Sequence, residues 1–232
     1  VFFAQLNEFE LNTASDYAVK WMRKYERASL LYTEFKKQLG FTDFFVFDTI
    51  LNFIDSGNDV HVANSSPIRY QQLFESKGHL TYCNRGTSGI DGCSSTAFGF
   101  SLKNENPTWL ITGDVSFLYD SNAWWNSYKT QLKIILINNG GGGIFRIIPG
   151  PSSVKDFETY FETPGKVDIK FLCKAYGINY FRADREDNLL EGCELLLNSE
   201  GISLLEIKTD REKNAKVLKD YFTLLRAEGK TS

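Results

Sequence analysis

Histidine is almost missing from this chain of 232 residues. There are only two, His61 and His79, and the four cysteines (Cys83, Cys93, Cys173, Cys193) form no Cys-x-x-Cys pair. That spacing excludes the usual zinc constellations. Cys93 lies in a Gly-rich stretch but has no histidine near it in sequence to act as a base, so a thiol nucleophile is not expected. The cysteines read as reduced core or near-core residues of a cytoplasmic protein. Charge of one sign is lacking too: 26 Lys and Arg against 29 Asp and Glu leave a net charge of −3, which gives no reason to expect nucleic acid as a partner. Lys213, Lys216 and Lys219 near the C-terminus read as the solvated face of a helix. No apolar run approaches the ~20 residues of a membrane helix, so no membrane span is expected, and the opening residues carry no signal-peptide pattern. The first residue is Val, not Met, as expected of a piece of a longer protein. There is no internal repeat and no low-complexity linker.

What is present suits one large α/β domain. Apolar residues make up 42% and charged residues 24%, and the length is enough for a full core. Residues 14–38 place Tyr17, Trp21, Tyr25, Ala28, Leu31 and Phe35 at helical spacing, and Gly40 closes that helix. Thr42 or Asp43 is expected to cap a second helix running to about Ile54. Short strands are expected at 60–63 and 80–83, with a helix opened by Pro67 between them. A helix of small and apolar residues follows over 90–102. Strands at 108–112 and 133–137 flank another helix-length segment. Residues 149–167 read as a polar loop holding Phe157, Tyr160 and Phe161. Helices over 170–176, 188–197 and 211–226 alternate with strands at 179–181 and 202–207. Strands alternating with helices predict a mostly parallel central sheet with helices on both faces.

The chemistry sits at two strand ends. The run Thr108-Trp109-Leu110-Ile111-Thr112 ends in Gly113-Asp114, and Lys133-Ile134-Ile135-Leu136-Ile137 ends in Asn138-Asn139, followed by four glycines, 140–143. In a parallel βαβ unit the carboxyl ends of neighbouring strands share one rim, and ligands bind in the crevice outside it. Asp114 and Asn139 then supply two hard oxygen donors beside a glycine-rich turn, which suits Mg²⁺ holding a diphosphate. An ordinary crossover with an Asp helix cap is the plain alternative.

Gly-Asp followed, a helix and a strand later, by Asn-Asn resembles the metal-and-diphosphate motif of thiamine diphosphate enzymes. Three further strings narrow the resemblance: Asn64-Ser65-Ser66-Pro67-Ile68-Arg69, Asn84-Arg85-Gly86-Thr87-Ser88-Gly89-Ile90-Asp91-Gly92, and Asn139 through Ile144-Phe145. Together they look like the C-terminal, diphosphate-binding (PP-type) domain of the 2-succinyl-5-enolpyruvyl-6-hydroxy-3-cyclohexene-1-carboxylate synthase family of menaquinone biosynthesis. The match is strong from Asn64 to Phe145, continues more weakly to about Lys208, and is slight over residues 1–55, which are expected as a helical lead-in.

The resemblance implies a transferase that joins isochorismate to 2-oxoglutarate with loss of CO₂, using thiamine diphosphate as electron sink. The metal would be Mg²⁺ or Mn²⁺, and the full-length enzyme a homodimer or homotetramer. It also implies that pyrimidine-binding and middle domains precede this one, that the activating Glu lies on the former, and that residues 1–232 alone are inactive. By the same resemblance Asp114, Asn139 and the Gly141 carbonyl would hold the metal. Ser116 would meet the diphosphate, and Ile90 would prop the bent cofactor. Ser65, Arg69 and Arg85 would meet substrate carboxylates, with Ile144, Phe145 and Ile148 as an apolar wall. Val115 and Gly140 depart from the wider superfamily, and Gly140 is expected to loosen the metal loop. Two other readings stay open: the same domain of an acetolactate synthase-like 2-oxoacid decarboxylase, for which fewer arginines suffice, and a stand-alone inactive binding domain. Taken singly, Arg69 reads as a surface residue, Arg85 as a structural partner of Asp91, and Ile90 and Phe145 as core.

Overall fold

The computed structural model describes residues 15–75 and 77–228. Among these residues six strands, β1 (Asp59–Val62), β2 (Leu80–Tyr82), β3 (Thr108–Gly113), β4 (Leu132–Asn138), β5 (Asn179–Ala183) and β6 (Ile202–Lys208), form one sheet in the order β2-β1-β3-β4-β6-β5. Every pairing is parallel. The central strands are continuous apolar runs because both of their faces are covered. Leu110, Ile134 and Leu204 lie in register and pack with Ala97, Phe98, Phe117 and Trp124 on one side. Their neighbours Ile111, Ile135 and Leu205 are equally buried and, by the two-residue alternation of a strand, face the other side. Each such side chain contributes about 1.5–3 kcal/mol on leaving water, so the sheet centre is the rigid platform of the molecule.

Eight α-helices surround or precede the sheet among the described residues: α1 (Tyr17–Phe35), α2 (Asp43–Phe53), α3 (Ser66–Gln71), α4 (Cys93–Ser101), α5 (Asp114–Tyr119), α6 (Ile169–Tyr176), α7 (Glu186–Asn198) and α8 (Arg211–Glu228). In α7 the buried residues Leu189, Gly192, Cys193 and Leu196 recur at helical spacing. Gly192 permits the close approach to the sheet, since a Cβ there would stand 2.8 Å from Leu205 Cδ1. In α6 the Asp168 side chain caps the start by accepting from the Lys170 N–H at 2.9 Å, and Gly177 in the left-handed conformation ends it.

The contacts divide the chain into two units, one of residues 39–222 and the other of residues up to 38 with those from 223 on. The sheet lies in the first. Of the expected helical lead-in, residues 1–14 lie outside the described residues, as does the expected helix start at residue 14. The helix α1 buries none of its residues, and Tyr17, Trp21 and Tyr25 are exposed on it. The helix α2 belongs to the sheet's unit, with Phe44 and Phe47 fully buried and Phe47 stacked on Tyr70 at 5.2 Å.

Three local expectations change. The helix expected over 90–102 starts only at Cys93, because Gly92 is left-handed (φ 71°) and breaks the chain there, which leaves Ile90 in a loop. The segment after Asp114 is a six-residue helix followed by a 3₁₀ turn over Ser121–Trp124, not one long helix. The stretch 149–167 is more ordered than a polar loop: it contains a π-helical turn, Glu158–Glu162, whose last residue is fully buried.

Candidate functional site

The chain leaves β1 outward to β2, then crosses back to place β3 on the other side of β1. Such a switch point opens a crevice at the carboxyl ends of the strands. A cavity of about 430 Å³ lies there. Its walls come from Asn64, Ser65, Ser66 and Pro67 after β1, Ser88, Gly89 and Ile90 after β2, and Gly113, Asp114, Val115 and Ser116 after β3. Asn139 and glycines 141–143 after β4 complete the rim. Asp43 and Phe47 of α2 enter from behind, and Tyr160, Phe161 and Thr163 close over it.

Asp114 is the first residue of α5 and is buried. Burial pushes its carboxyl up to about 7, against the N–H groups of Val115 and Gly141 that hydrogen-bond to it, and the negative charge of Asp43 adds to the rise. A cation in this cavity favours the ionised form and offsets that cost. Asn139 donates from Nδ2 to Asp43 Oδ2 at 2.9 Å, while its Oδ1 accepts no hydrogen bond among the described residues. The Gly141 carbonyl accepts from Gly143 N–H at 2.9 Å and retains a second lone pair. One carboxylate, one carboxamide oxygen and one peptide oxygen form an all-oxygen donor set that fits Mg²⁺ or Mn²⁺. Among the described residues no group of three or more His, Cys, Asp or Glu gathers at any point.

The glycine turn is pinned on both sides. Asn138 donates from Nδ2 to the buried Glu206, and its Oδ1 accepts from Gly140 N–H at 3.2 Å. Gly140 adopts φ 81°, so the turn needs the freedom that its missing side chain gives. Gly141 adopts φ 135°, and a Cβ there would run into the Glu162 carbonyl oxygen. That same oxygen accepts from Gly142 N–H at 2.7 Å. The Glu162 carboxylate is buried between Arg146 and Arg211, and Phe161 meets the Phe145 ring at 5.6 Å. The π-turn is thereby seated on the glycine turn.

The remaining expected residues fall into two groups. Ser65, Ile90, Ser116 and Phe145 line the cavity with Asp114, Asn139 and Gly141. Ser65 holds a left-handed φ of 75°. Ser116 donates its hydroxyl proton to the Ile90 carbonyl at 2.6 Å, so it fixes the loop that carries Ile90. Arg69, Arg85, Ile144 and Ile148 do not line it. Arg69 is exposed on α3 and donates to the Ser65 carbonyl at 2.9 Å. Arg85 is exposed and donates to Asn64 Oδ1 at 3.1 Å rather than pairing with Asp91. Ile144 is buried and Ile148 half-buried. Asn64, visible in the sequence as the start of a string but given no role there, donates to the carbonyls of Asn84 and Gly89 and so ties the β1 loop to the β2 loop. A polar residue just beyond a buried apolar run was the available signal. Asp43, read only as a helix cap, gave none.

Residues 64–207 match the family described as thiamine pyrophosphate enzyme, C-terminal TPP binding domain. The chain belongs to that family. As one of these domains it is built to bind thiamine diphosphate, the same compound as thiamine pyrophosphate. It is 46% identical over 211 residues to a 2-succinyl-5-enolpyruvyl-6-hydroxy-3-cyclohexene-1-carboxylate synthase of Flavobacterium johnsoniae, covering 90% of this chain and 38% of that protein. A synthase of the same name from Porphyromonas gingivalis is 44% identical over 220 residues, covering 91% of this chain and 37% of its own length. A third, from Synechococcus elongatus, is 35% identical over 220 residues, covering 92% and 38%. The chain therefore spans under two fifths of these curated relatives. No helix among the described residues is long and apolar enough to cross a membrane.

Proposed function

We propose that this chain is the diphosphate- and metal-binding part of a 2-succinyl-5-enolpyruvyl-6-hydroxy-3-cyclohexene-1-carboxylate synthase, a menaquinone-pathway transferase that joins isochorismate to 2-oxoglutarate with loss of CO₂. The whole enzyme would work in the cytoplasm as a homodimer or homotetramer, with the pyrimidine-binding and middle domains supplied outside these residues. One observation carries the local part of the reading: Asp114, Asn139 and Gly141 line one cavity together with a second buried carboxyl group, that of Asp43. The names of the relatives support the choice of reaction.

When bound, thiamine diphosphate supplies the electron sink that lets a 2-oxo acid lose CO₂ and its former carbonyl carbon act as a nucleophile. The chain's own residues bind and orient. Asp114, Asn139 and Gly141 would hold Mg²⁺ or Mn²⁺, whose charge offsets the diphosphate. The helix α5 is short, so the cation carries more of that task than the helix end. Ile90, held through its carbonyl by Ser116, presents an apolar prop. Phe145 and Phe161 line the cavity and would give it an apolar wall. Arg69 and Arg85 do not line the cavity but are tied to Ser65 and Asn64, which do, and their remaining N–H groups would be available to a substrate carboxylate. Two arginines suit substrates that carry several carboxylates better than a small monocarboxylate.

Calorimetry of thiamine diphosphate added to the chain, with and without Mg²⁺, tests the site. Weak, Mg²⁺-dependent binding is expected, since the aminopyrimidine half of the site lies elsewhere. Tight binding that ignores the metal would overturn the metal bridge.

A further inference from the structure

We infer that Asp43 is the positioning residue of the metal site: its buried carboxylate turns the Asn139 amide so that Oδ1 faces the cation. This rests on the metal site proposed above. Asp43 opens α2, lies 96 positions before Asn139 in sequence, and is 1% exposed. Its Oδ2 accepts from Asn139 Nδ2 at 2.9 Å, and its Oδ1 accepts from the Thr209 hydroxyl. Its backbone N–H donates to Asn214 Oδ1 at 2.8 Å, and Asn214 Nδ2 donates to Thr209 Oγ1 at 3.0 Å. Thr209 is itself fixed, because its N–H donates to the Asn138 carbonyl at 3.2 Å. The start of α2, the ends of β4 and β6 and the start of α8 thus hold one side chain in one place.

The direction of the Asn139 amide follows from chemistry. The Asp43 Oδ2 that faces the amide is a hydrogen-bond acceptor, and an acceptor oxygen attracts the NH₂ end of the amide and repels its oxygen. With Nδ2 engaged, Oδ1 is left on the cavity side, where it is a metal ligand and not a donor that would oppose the cation. Without Asp43 the amide can flip or rotate, and the cation loses a pre-oriented oxygen. Partners that orient metal ligands in this way are worth about 10–100-fold in metal affinity.

The test uses Mn²⁺ as probe, titrated into this chain in the presence of thiamine diphosphate, with free Mn²⁺ read by electron paramagnetic resonance. In parallel, the side-chain amide resonance of Asn139 is followed by ¹⁵N NMR and identified by its absence in Asn139→Ala. Asp43→Ala is expected to weaken Mn²⁺ binding by about 10–100-fold and to shift that resonance. Asp43→Asn keeps an acceptor oxygen for Asn139 and should restore most of both. Thr209→Val, which leaves the Asp43–Asn139 bond in place, should stay within a few-fold of wild type. Asp43→Ala that binds Mn²⁺ like wild type overturns the inference. So does Asp43→Asn that loses as much affinity as Asp43→Ala, because charge and not orientation would then be at work. If Asp43→Ala does not fold, Asp43→Asn decides: near-wild-type Mn²⁺ affinity with an unshifted Asn139 resonance supports the positioning role, and loss of affinity with the resonance unshifted overturns it. Wild type that binds no Mn²⁺ with thiamine diphosphate overturns the metal site itself, a result distinct from the others.

Discussion

At the ends of β3 and β4 the polar side chains are fixed from behind. Asp43 holds Asn139, Glu206 holds Asn138, and Asn138 in turn holds the Gly140 amide. At the ends of β1 and β2 the cationic side chains are exposed, and Arg69 and Arg85 each rest on a single hydrogen bond to the loop beneath them. On the proposed function the first rim would meet a small cation that demands oxygens at set places, and burial holds those places. The second would meet substrate carboxylates that arrive by diffusion, where long cationic arms can reach and settle after contact. Preorganisation is concentrated where the ligand is least forgiving.

The largest effect is expected at Asp114. Asp114→Ala removes the only charged member of the donor set, and binding of Mn²⁺ with thiamine diphosphate should fall by about 100-fold or more. Calorimetry on the two proteins measures it. Wild-type affinity in the variant would reduce Asp114 to the first residue of a short helix.

Gly141→Ala should come next. A side chain at φ 135° is strained, and its Cβ would run into the Glu162 carbonyl. A loss of about 3 kcal/mol is expected, seen as a lower Tm that thiamine diphosphate and Mg²⁺ no longer raise. An unchanged Tm would show that the π-turn yields easily and that the rim is less rigid than its contacts imply.

Glu162→Gln tests the support of that turn. It leaves Arg146 and Arg211 without their buried partner. Both arginines are partly exposed, with 19% and 29% of their side chains accessible, so water screens much of the change. A cost of about 2 kcal/mol follows, confined to residues 157–163, whose amides should exchange hydrogen faster. Faster exchange spread over the whole sheet would show that the clamp stabilises the fold and not the lid over the cavity.

The same division separates what could be read from the sequence. Parallel strands buried on both faces are written as apolar runs, so β3 and β4 and their polar ends, Asp114 and Asn139, are visible at once. Their spacing follows from the crossover between two neighbouring strands. The supports come from far along the chain: Asp43 is 96 positions from Asn139, and Glu206 is 68 from Asn138. No local period marks such a pair. Asp43 looks like a helix cap because a cap is the commonest reason for Asp at that place. Glu162 hid in a stretch with loop composition, because its burial depends on two arginines from other elements. The start of α4 was misplaced because a left-handed Gly92 ends the Ser88–Gly92 turn, and composition alone does not set that angle. Arg69 and Arg85 were visible as residues of a recognisable string, but whether they point into the cavity is a matter of side-chain direction.

The smallest effect is expected at those two arginines. In the complete enzyme, Arg85→Ala should leave cofactor binding unchanged, since Asp114, Asn139 and Gly141 are untouched. It should raise the KM for one carboxylate substrate by about 10-fold, the worth of one charge-assisted contact at a solvent-exposed position. Arg69→Ala should do the same for one substrate, with kcat nearly constant in both. Added salt should narrow the gap between variant and wild type, because exposed charges are screened. The Asp114 rim should respond to salt far less. Steady-state kinetics at two ionic strengths, with a cofactor titration on each variant, separates the outcomes. If Arg85→Ala loses cofactor while its KM values stay normal, the arginine acts through Asn64 on the β1 and β2 loops, and the exposed rim is as much a part of the scaffold as the buried one.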